Sequence, residues 1–487
     1  MKSNHPVVVI GAGPVGLAAA AHLLERGQDT VVLEAGASAG AAMGEWGHIR
    51  LFSTWRYNID AAARRLLESP SGQYDGGWQA PRETRLPSGA EMVNEYLAPL
   101  AAHPSLAPII KYGHRVAAVT RVRDSGNGVD LSRSAGRDDS LFLVRTEADG
   151  ALEDVLARAV IDASGTWGTP NPAGRSGIPA PGETEARAAG FISSPLPDVL
   201  GPDRAHFAGK TVLVLGAGHS AANTLLALAR LRQQQPDTTV MWGLRGTANP
   251  VRLYGGGAAD ELPARGQLGT SLRRFVENGD IRIIENVSVA AVTAAGAGVS
   301  LALADGRAVQ ADVVVPATGF RPDLSILSEL RLDLDPVVQA PRELGPLIDP
   351  EFHSCGTVSA HGERVLSHPE KNFYIVGMKS YGRAPTFLMA TGYEQVRSIA
   401  AALAGDQAAA DAVELELPET GVCSTDLAGS CDAPPAADAD APAGGCGAPD
   451  PVAGPAAGGC CSSPEPVTIG FATGTLHGFT ELADGTR

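Results

Sequence analysis

Val7-Val8-Val9-Ile10 runs into Gly11-Ala12-Gly13-Pro14-Val15-Gly16. An Ala- and Leu-rich stretch follows from Leu17 to Arg26, then Gly27, then a second β-branched run from Thr30 to Leu33 that ends on Glu34. Four consecutive apolar residues mark a strand buried on both faces. The Ala/Leu stretch reads as a helix that Gly27 closes as a C-cap. Together they make a βαβ unit of about 30 residues. In that setting each glycine has a physical task. Gly11 permits the tight turn, Gly13 lets a pyrophosphate approach the backbone, and Gly16 lets helix and strand pack closely. The helix that starts at Pro14 offers its N-terminal N–H groups and partial positive charge to phosphate. Glu34, about 20 residues on, suits the hydroxyls of an adenosine ribose.

The unit recurs. Thr211–Leu215 reads as a strand, Gly216-Ala217-Gly218-His219-Ser220-Ala221 as the turn, Asn223–Leu231 as the helix and Thr239–Trp242 as the next strand. Ala221 replaces the third glycine, which this turn tolerates. No acid closes the second strand. Arg245 stands there instead, and a guanidinium suits a 2′-phosphate that a carboxylate would repel. The second nucleotide is therefore expected to be NADPH rather than NADH.

Each unit is followed by β-rich sequence that ends in a small-residue turn. Val116–Val122, Leu141–Thr146 and Ala159–Ile161 lead to Asp162-Ala163-Ser164-Gly165. Ile281–Glu285, Val299–Leu303 and Val313–Val315 lead to Ala317-Thr318-Gly319. Seven prolines between Pro170 and Pro202 mark a linker. Phe373–Val376 reads as a late strand, and Thr391–Leu403 as a late helix that returns to the first domain. The expected fold class is α/β, with two Rossmann-like dinucleotide-binding domains, the second inserted in the first.

Charge and cysteine concentrate in the tail. The 487-residue chain carries a formal charge of −16, and twelve acids against one Arg place −11 of it in residues 411–487. The remaining 1–410 is only mildly acidic and offers no basic stripe for a nucleic acid. Residues 1–354 contain no cysteine, which excludes a disulfide framework and points to a reducing cytoplasm. Val7–Leu24 and Thr211–Ala229 lack charged residues, yet each is broken by its glycine turn, so no membrane span is expected. The start of the chain does not read as a signal peptide. From about Pro418 to Pro466, Ala, Gly, Pro, Asp and Ser dominate, a composition expected to be disordered. Val467–Phe479 regains apolar residues that suit docking.

The doubled fingerprint, Glu34, and Ala317-Thr318-Gly319-Phe320-Arg321-Pro322-Asp323 closing the insert resemble the two-dinucleotide-binding-domain flavoproteins over about residues 5–405. The resemblance implies FAD in a domain of residues 1–175 and 345–410, and NADPH in an inserted domain of residues 205–335, followed by the Cys-containing tail 411–487. Disulfide reductases of that superfamily need a cysteine pair beside the flavin, in the first domain or the insert, and this chain has none there. Gly44-Glu45-Trp46, Phe207-Ala208-Gly209-Lys210 and Asp162-Ala163-Ser164-Gly165 with Pro170 and Pro172 instead resemble flavin-containing monooxygenases. Within that group the chain is similar to monooxygenase-like flavoproteins associated with arsenic resistance in actinobacteria. The chain departs from the monooxygenases at 190–194, where their F-x-G-x-x-x-H fingerprint would place a His and none occurs.

The resemblance brings Trp46, His48, Arg50, Phe52, Trp55, Arg56, Tyr57 and Asn58 towards the flavin ring, with Lys379, Tyr381, Arg383 and Phe387 as a second cluster after Gly377. It implies Arg50, Asn58 and Arg383 as catalytic candidates, and Val116, Gly165, Thr318 and Gly377 as cofactor contacts beside the two turns. Cys355, near His361 and His368, fits no zinc spacing and reads as a buried apolar residue. Vicinal Cys460-Cys461 forms a soft thiolate pair suited to a soft metal or metalloid. The function implied is an NADPH-consuming flavin monooxygenase that takes O2 and, through a C4a-(hydro)peroxyflavin, oxygenates a small soft nucleophile (S, N or As). Two alternatives stand beside it: an NADPH-dependent flavin reductase with the tail thiols as relay, and a metalloid-binding flavoprotein with little turnover. The oligomeric state is not legible.

Overall fold

The computed structural model describes residues 5–415 apart from 72–76, 124–125, 250–253, 255–262, 353–357, 359 and 386. Cys355 and the tail cysteines, including Cys460 and Cys461, lie outside the described residues.

The first β-branched run is β1 (Val7–Ile10), fully buried. It pairs in parallel on one side with β2 (Thr30–Leu33) and on the other with β7 (Ala159–Asp162), with Val7 opposite both Thr30 and Ala159. β3 (Ile110–Lys111) and β15 (Phe373–Ile375) complete a five-stranded sheet in the order β15-β7-β1-β2-β3. The second run is β8 (Thr211–Leu215), one of two inner strands of a sheet ordered β10-β9-β8-β14, with β9 (Thr239–Gly243), β10 (Ile281–Ile284) and β14 (Val313–Pro316). In both sheets the strand entering the glycine turn lies between the strand that runs towards Glu34 or Arg245 and one that ends in a small-residue loop. That is a topological switch point, where parallel sheets open a crevice beyond their C-terminal ends.

Two antiparallel three-stranded sheets accompany them. One holds β4 (Arg115–Val122), β5 (Leu141–Ala148) and β6 (Ala151–Ala157); the other holds β11 (Val289–Ala295), β12 (Gly298–Leu303) and β13 (Ala308–Ala311). The sequence reading lacks β6, β11 and β13. Residues 151–154 of β6 are exposed and include Glu153 and Asp154, so no apolar pattern announces that strand. It also lacks the helices Ala61–Glu68 and Pro263–Glu277.

The helix Pro14–Glu25 has Pro14 at its first turn, where a missing N–H costs nothing. Leu17, Ala18 and Leu23 share one apolar cluster with Tyr393, Val396 and Ile399 of the late helix Met389–Leu403. After the inserted sheet the chain thus rejoins the first one, through β15 on β7 and this helix on the first helix. A separate cluster fills the second sheet, with Val212, Val214, Leu225, Leu228 and Trp242. Among the described residues no helix is long and apolar enough to cross a membrane.

One polar cluster is sealed inside the first half. Glu370 Oε1 accepts from Arg121 Nε at 2.7 Å, and Oε2 accepts from Arg137 Nη2 at 2.7 Å and from the Arg331 N–H at 2.9 Å. The three side chains Arg121, Arg137 and Glu370 are each 1% exposed.

Candidate functional site

The first crevice is built from the turn itself. Gly11 has φ +98°, and a Cβ there would sit 2.9 Å from the Ala163 carbonyl oxygen, so only glycine lets the loop after β7 close on the turn. A Cβ at Gly16 would sit 2.0 Å from the Gly11 carbonyl oxygen. Gly13 differs: it is ordinary extended backbone (φ −79°, ψ −175°) and a Cβ would meet nothing within 4 Å. Its open side is the space a pyrophosphate needs, and the helix N-terminus at Pro14 points its N–H groups there.

Glu34 lies across the mouth. Oε2 accepts from the Ala12 N–H at 2.6 Å and Oε1 from the Gly36 N–H at 2.7 Å, which fixes both oxygens while leaving each a lone pair for a ribose hydroxyl. Residues 34–36 bond in turn to 111–114, through Glu34 N–H to Lys111 O and His114 N–H to Glu34 O, both at 2.9 Å. Val116 follows at the start of β4, 9% exposed and packed in the core beneath. Gly165 lies in the loop after β7. Gly377 opens the turn after β15, its N–H held by Gln395 Oε1 at 2.8 Å, and a Cβ there would touch Val15 at 3.3 Å. Gly11, Gly16, Glu34 and Gly377 thus gather around the first turn, an arrangement that fits a dinucleotide.

The second crevice repeats the design. Gly216 has φ +125°, and a Cβ would meet the Ala317 carbonyl oxygen at 2.1 Å, so the loop after β14 closes on this turn as the loop after β7 does on the first. Gly218, like Gly13, is extended (φ −85°, ψ −178°) with nothing within 4 Å of a Cβ. The helix His219–Gln234 begins there, with Ser220 in its first turn and Ala221 fully buried. Trp242 on β9 donates from Nε1 to the Gly216 carbonyl at 2.7 Å, bracing the turn from below. Thr318 Oγ1 donates to the Asn171 carbonyl at 2.8 Å, and the Asn171 N–H to the Gly319 carbonyl at 2.9 Å. Arg245 is exposed two residues past β9, with no hydrogen bond to another described residue.

The aromatic segment lies against residues 83–89, with Leu51 N–H to Pro87 O at 2.8 Å and Trp55 N–H to Arg85 O at 2.9 Å. Trp46 is partly buried and packs against Gly89, where a Cβ would come within 2.9 Å of its ring. Asn58 is 1% exposed; its Nδ2 donates to the carbonyls of Ser53 at 2.7 Å and Thr54 at 2.9 Å. Both amide hydrogens are therefore used inside the turn, which leaves only its side-chain oxygen for anything outside. Tyr393 donates to the Asn58 carbonyl at 2.8 Å, and burial pushes its phenol well up, so it stays a neutral donor. Arg50 is exposed and reaches the Leu86 carbonyl and Glu91. Arg383 bonds to Gln339 at 2.8 Å, away from the two turns' own partners.

Two contacts escape the sequence. Lys379 is 1% exposed and donates to Asp162 Oδ2 at 2.7 Å and Ser164 Oγ at 3.0 Å, tying the turn after β15 to the loop that covers Gly11. Glu45 accepts from Trp167 Nε1 at 2.7 Å. Partners so distant in sequence leave no local signal. Among the described residues no group of three His, Cys, Asp or Glu could hold a metal ion.

Comparisons with known proteins agree with this geometry. The solved structures most like it include bacillithiol disulfide reductase from Bacillus cereus (18% identity, 82% of this chain and 99% of that one, TM-score 0.57). A FAD-bound cadaverine monooxygenase from Erwinia amylovora follows (15% identity, 88% and 100%, TM-score 0.54). So does an ornithine N-hydroxylase from Kutzneria, solved with reduced FAD, NADP+ and L-ornithine (17% identity, 83% and 100%, TM-score 0.52). At these identities the likeness is one of fold. No curated protein matches the sequence. The family model for pyridine nucleotide-disulphide oxidoreductases matches residues 8–354, and with both crevices in place the chain belongs to that family of FAD- and NAD(P)H-dependent oxidoreductases.

Proposed function

We propose that the chain binds FAD at the Gly11 turn and NADPH at the Gly216 turn, and acts as a monooxygenase on a small soft nucleophile (sulfur, nitrogen or trivalent arsenic). The proposed domains are 1–175 with 345–410 for FAD and 205–335 for NADPH. Bound FAD supplies the two-electron chemistry that links NADPH to O2. NADPH gives a hydride and solvent a proton, one oxygen atom goes to the nucleophile, and the other leaves as water.

The observation that carries this reading is the make-up of the matched segment. Residues 8–354 hold both nucleotide crevices and no cysteine. Disulfide chemistry needs a thiolate beside the flavin, and this segment offers none. Two of the structural neighbours named above are, by their own names, an ornithine N-hydroxylase and a cadaverine monooxygenase.

The chain's own residues have defined tasks in this reading. Glu34 orients the adenosine end of FAD, and the open face of Gly13 admits its pyrophosphate. Trp46, Val116, Gly165 and Gly377 line the rest of its path. Gly218, Ser220 and Ala221 form the second phosphate turn, with Thr318 and Gly319 as its cover. Arg50, beside Glu91, and Arg383, beside Gln339, are the proposed catalytic cations, and Asn58 fixes the turn of the aromatic segment.

Arg245 reads the 2′-phosphate. Arg245→Ala should weaken NADPH relative to NADH by about 1.5–3 kcal/mol, the value of a charge-assisted contact. Titrations with both coenzymes check it, and equal losses would remove Arg245 from that role.

The alternative with a thiol relay rests on the vicinal Cys460-Cys461 of the tail, also the proposed soft-metal ligands. One experiment separates the readings. NADPH and O2 consumption and H2O2 release are measured with thiol, amine and arsenite acceptors, in the full chain and in a chain lacking 418–487. Under the monooxygenase reading an acceptor lowers the H2O2 share, and the deletion changes neither FAD content nor oxygen use. Under the relay reading the deletion stops reduction of a disulfide acceptor. Oxygen returned wholly as H2O2 with every acceptor would sink the first reading.

A further inference from the structure

The two lips of the second crevice are both fastened to one short segment of the first half. His219 opens the helix at the Gly216 turn, and its ring lies 5.0 Å from that of Phe52, tilted by 58°. On the other lip, Phe320 follows Gly319 in the loop after β14 and stacks on Trp167 at 5.0 Å and 30°. Trp167 is in turn held by Glu45 through the 2.7 Å bond from its Nε1. Glu45 and Phe52 bracket residues 45–52. That stretch leaves directly from the first crevice, since Gly40 donates its N–H to the Ala12 carbonyl at 2.9 Å just before it.

The chain crossings between the halves include a narrow ribbon. Asn171 N–H bonds the Gly319 carbonyl at 2.9 Å, and Arg321 N–H the Thr169 carbonyl at 3.1 Å. The ribbon joins the halves through these two backbone hydrogen bonds. The Phe52–His219 contact lies outside it and gives the halves a second point of attachment. Nothing fills the open face of Gly218 in this arrangement, so the contact leaves the phosphate turn free.

We propose that residues 45–52 are a strap that registers the coenzyme crevice on the flavin crevice, with Phe52–His219 and Glu45–Trp167–Phe320 as its anchors. Phe52 and Trp167 are then positioning residues for hydride transfer. The inference rests on the reading of the Gly216 turn as the NADPH site. Its chemical logic is distance: hydride passes only between closely opposed carbon and nitrogen atoms, and a misplacement of about 1 Å costs on the order of 100-fold. The strap also gives Glu45, between Gly44 and Trp46, a partner of its own.

The test uses the full chain and two readouts. Hydrogen exchange of amides 216–223 is followed in the FAD-free protein, and flavin reduction by saturating NADPH is followed anaerobically by stopped flow in the FAD-loaded protein. Phe52→Ala should speed the exchange and slow flavin reduction by about 10- to 100-fold, with FAD content and photoreduction unchanged. Phe52→Tyr keeps the ring and should behave as wild type. Glu45→Ala should shift both readouts, and Glu45→Gln, whose amide oxygen still accepts from Trp167, should restore them. Unchanged exchange in Phe52→Ala overturns the strap. Faster exchange with an unchanged reduction rate overturns the positioning role. A wild-type flavin that NADPH does not reduce would refute the NADPH reading itself, and exchange alone would then decide the strap.

Discussion

Gly13→Val should give a folded protein that holds less than about a tenth of the wild-type flavin, because a pyrophosphate must approach the backbone at this glycine. The three glycines of the first turn do different work, and the structure separates them. Gly11 and Gly16 are held by the fold: a Cβ would press on Ala163 in one case and on the Gly11 carbonyl in the other. Side chains there disturb the chain whether or not a nucleotide binds. Gly13 has backbone angles open to any residue and no neighbour within 4 Å of a Cβ. The isopropyl group of a valine therefore costs the apoprotein little and stands where the phosphates would lie. The check is the ratio of flavin to protein absorbance, with circular dichroism and urea unfolding of the FAD-free protein as controls. Full flavin in a well-folded variant would move FAD away from this turn. Gly218→Val is the internal control, since that site has the same open geometry. It should keep FAD and lose NADPH binding.

The contrast shows which parts of the molecule are legible in the sequence. The two strand–turn–helix units are, because buried parallel strands are written as continuous β-branched runs and the turns need glycine at fixed offsets. Thr211–Leu215 matches its expected bounds, and Val313–Pro316 exceeds its own by one residue. The return of the late helix to the first half is legible for a negative reason, as no third nucleotide unit stands beside it. What the sequence conceals is pairing over distance. Lys379 is visible as a residue near the flavin cluster, but Asp162, 217 positions away, is its partner only after β7 and β15 pair. Asn58 illustrates the opposite difficulty. The resemblance implies it as a catalytic residue near the flavin, and its local backbone takes both amide hydrogens. An exposed strand such as β6 fails to register because most of its residues face water and no apolar alternation is left.

Glu370→Gln should cost about 3–5 kcal/mol of stability, the usual penalty for removing one partner of a buried ion cluster. Burial alone raises the Glu370 carboxyl. The bonds from Arg137, the Arg331 N–H and Arg121 outweigh burial and leave it below its ordinary range. The Arg121 guanidinium is also held below its ordinary value, chiefly by burial, which Glu370 opposes and Arg137 reinforces by repulsion. Both shifts describe one arrangement, in which two guanidinium groups depend on a single carboxylate. A glutamine keeps the shape and can still accept from Arg331, but it leaves both cations sealed without a counter-charge. The loss should be read by urea unfolding of the FAD-free protein, because bound FAD would stabilise the folded state by mass action and mask part of it. The pH dependence follows from the sign of the shift. A carboxyl depressed in the folded state contributes stability above the unfolded value of about 4.3, and loses it as pH falls through the folded one. Wild type and variant should therefore differ fully near pH 7 and converge in acid. A difference below about 1 kcal/mol at pH 7 would mean that water reaches the cluster. The position also makes the change visible at the flavin. Arg121 holds the Lys371 carbonyl, the Asn372 carbonyl takes the Val160 N–H, and β15 runs from Phe373 straight to the Gly377 turn. Loosening Glu370 frees the start of the strand whose end forms one wall of the FAD crevice, so the variant should release its flavin at a lower temperature than wild type, before the second sheet unfolds.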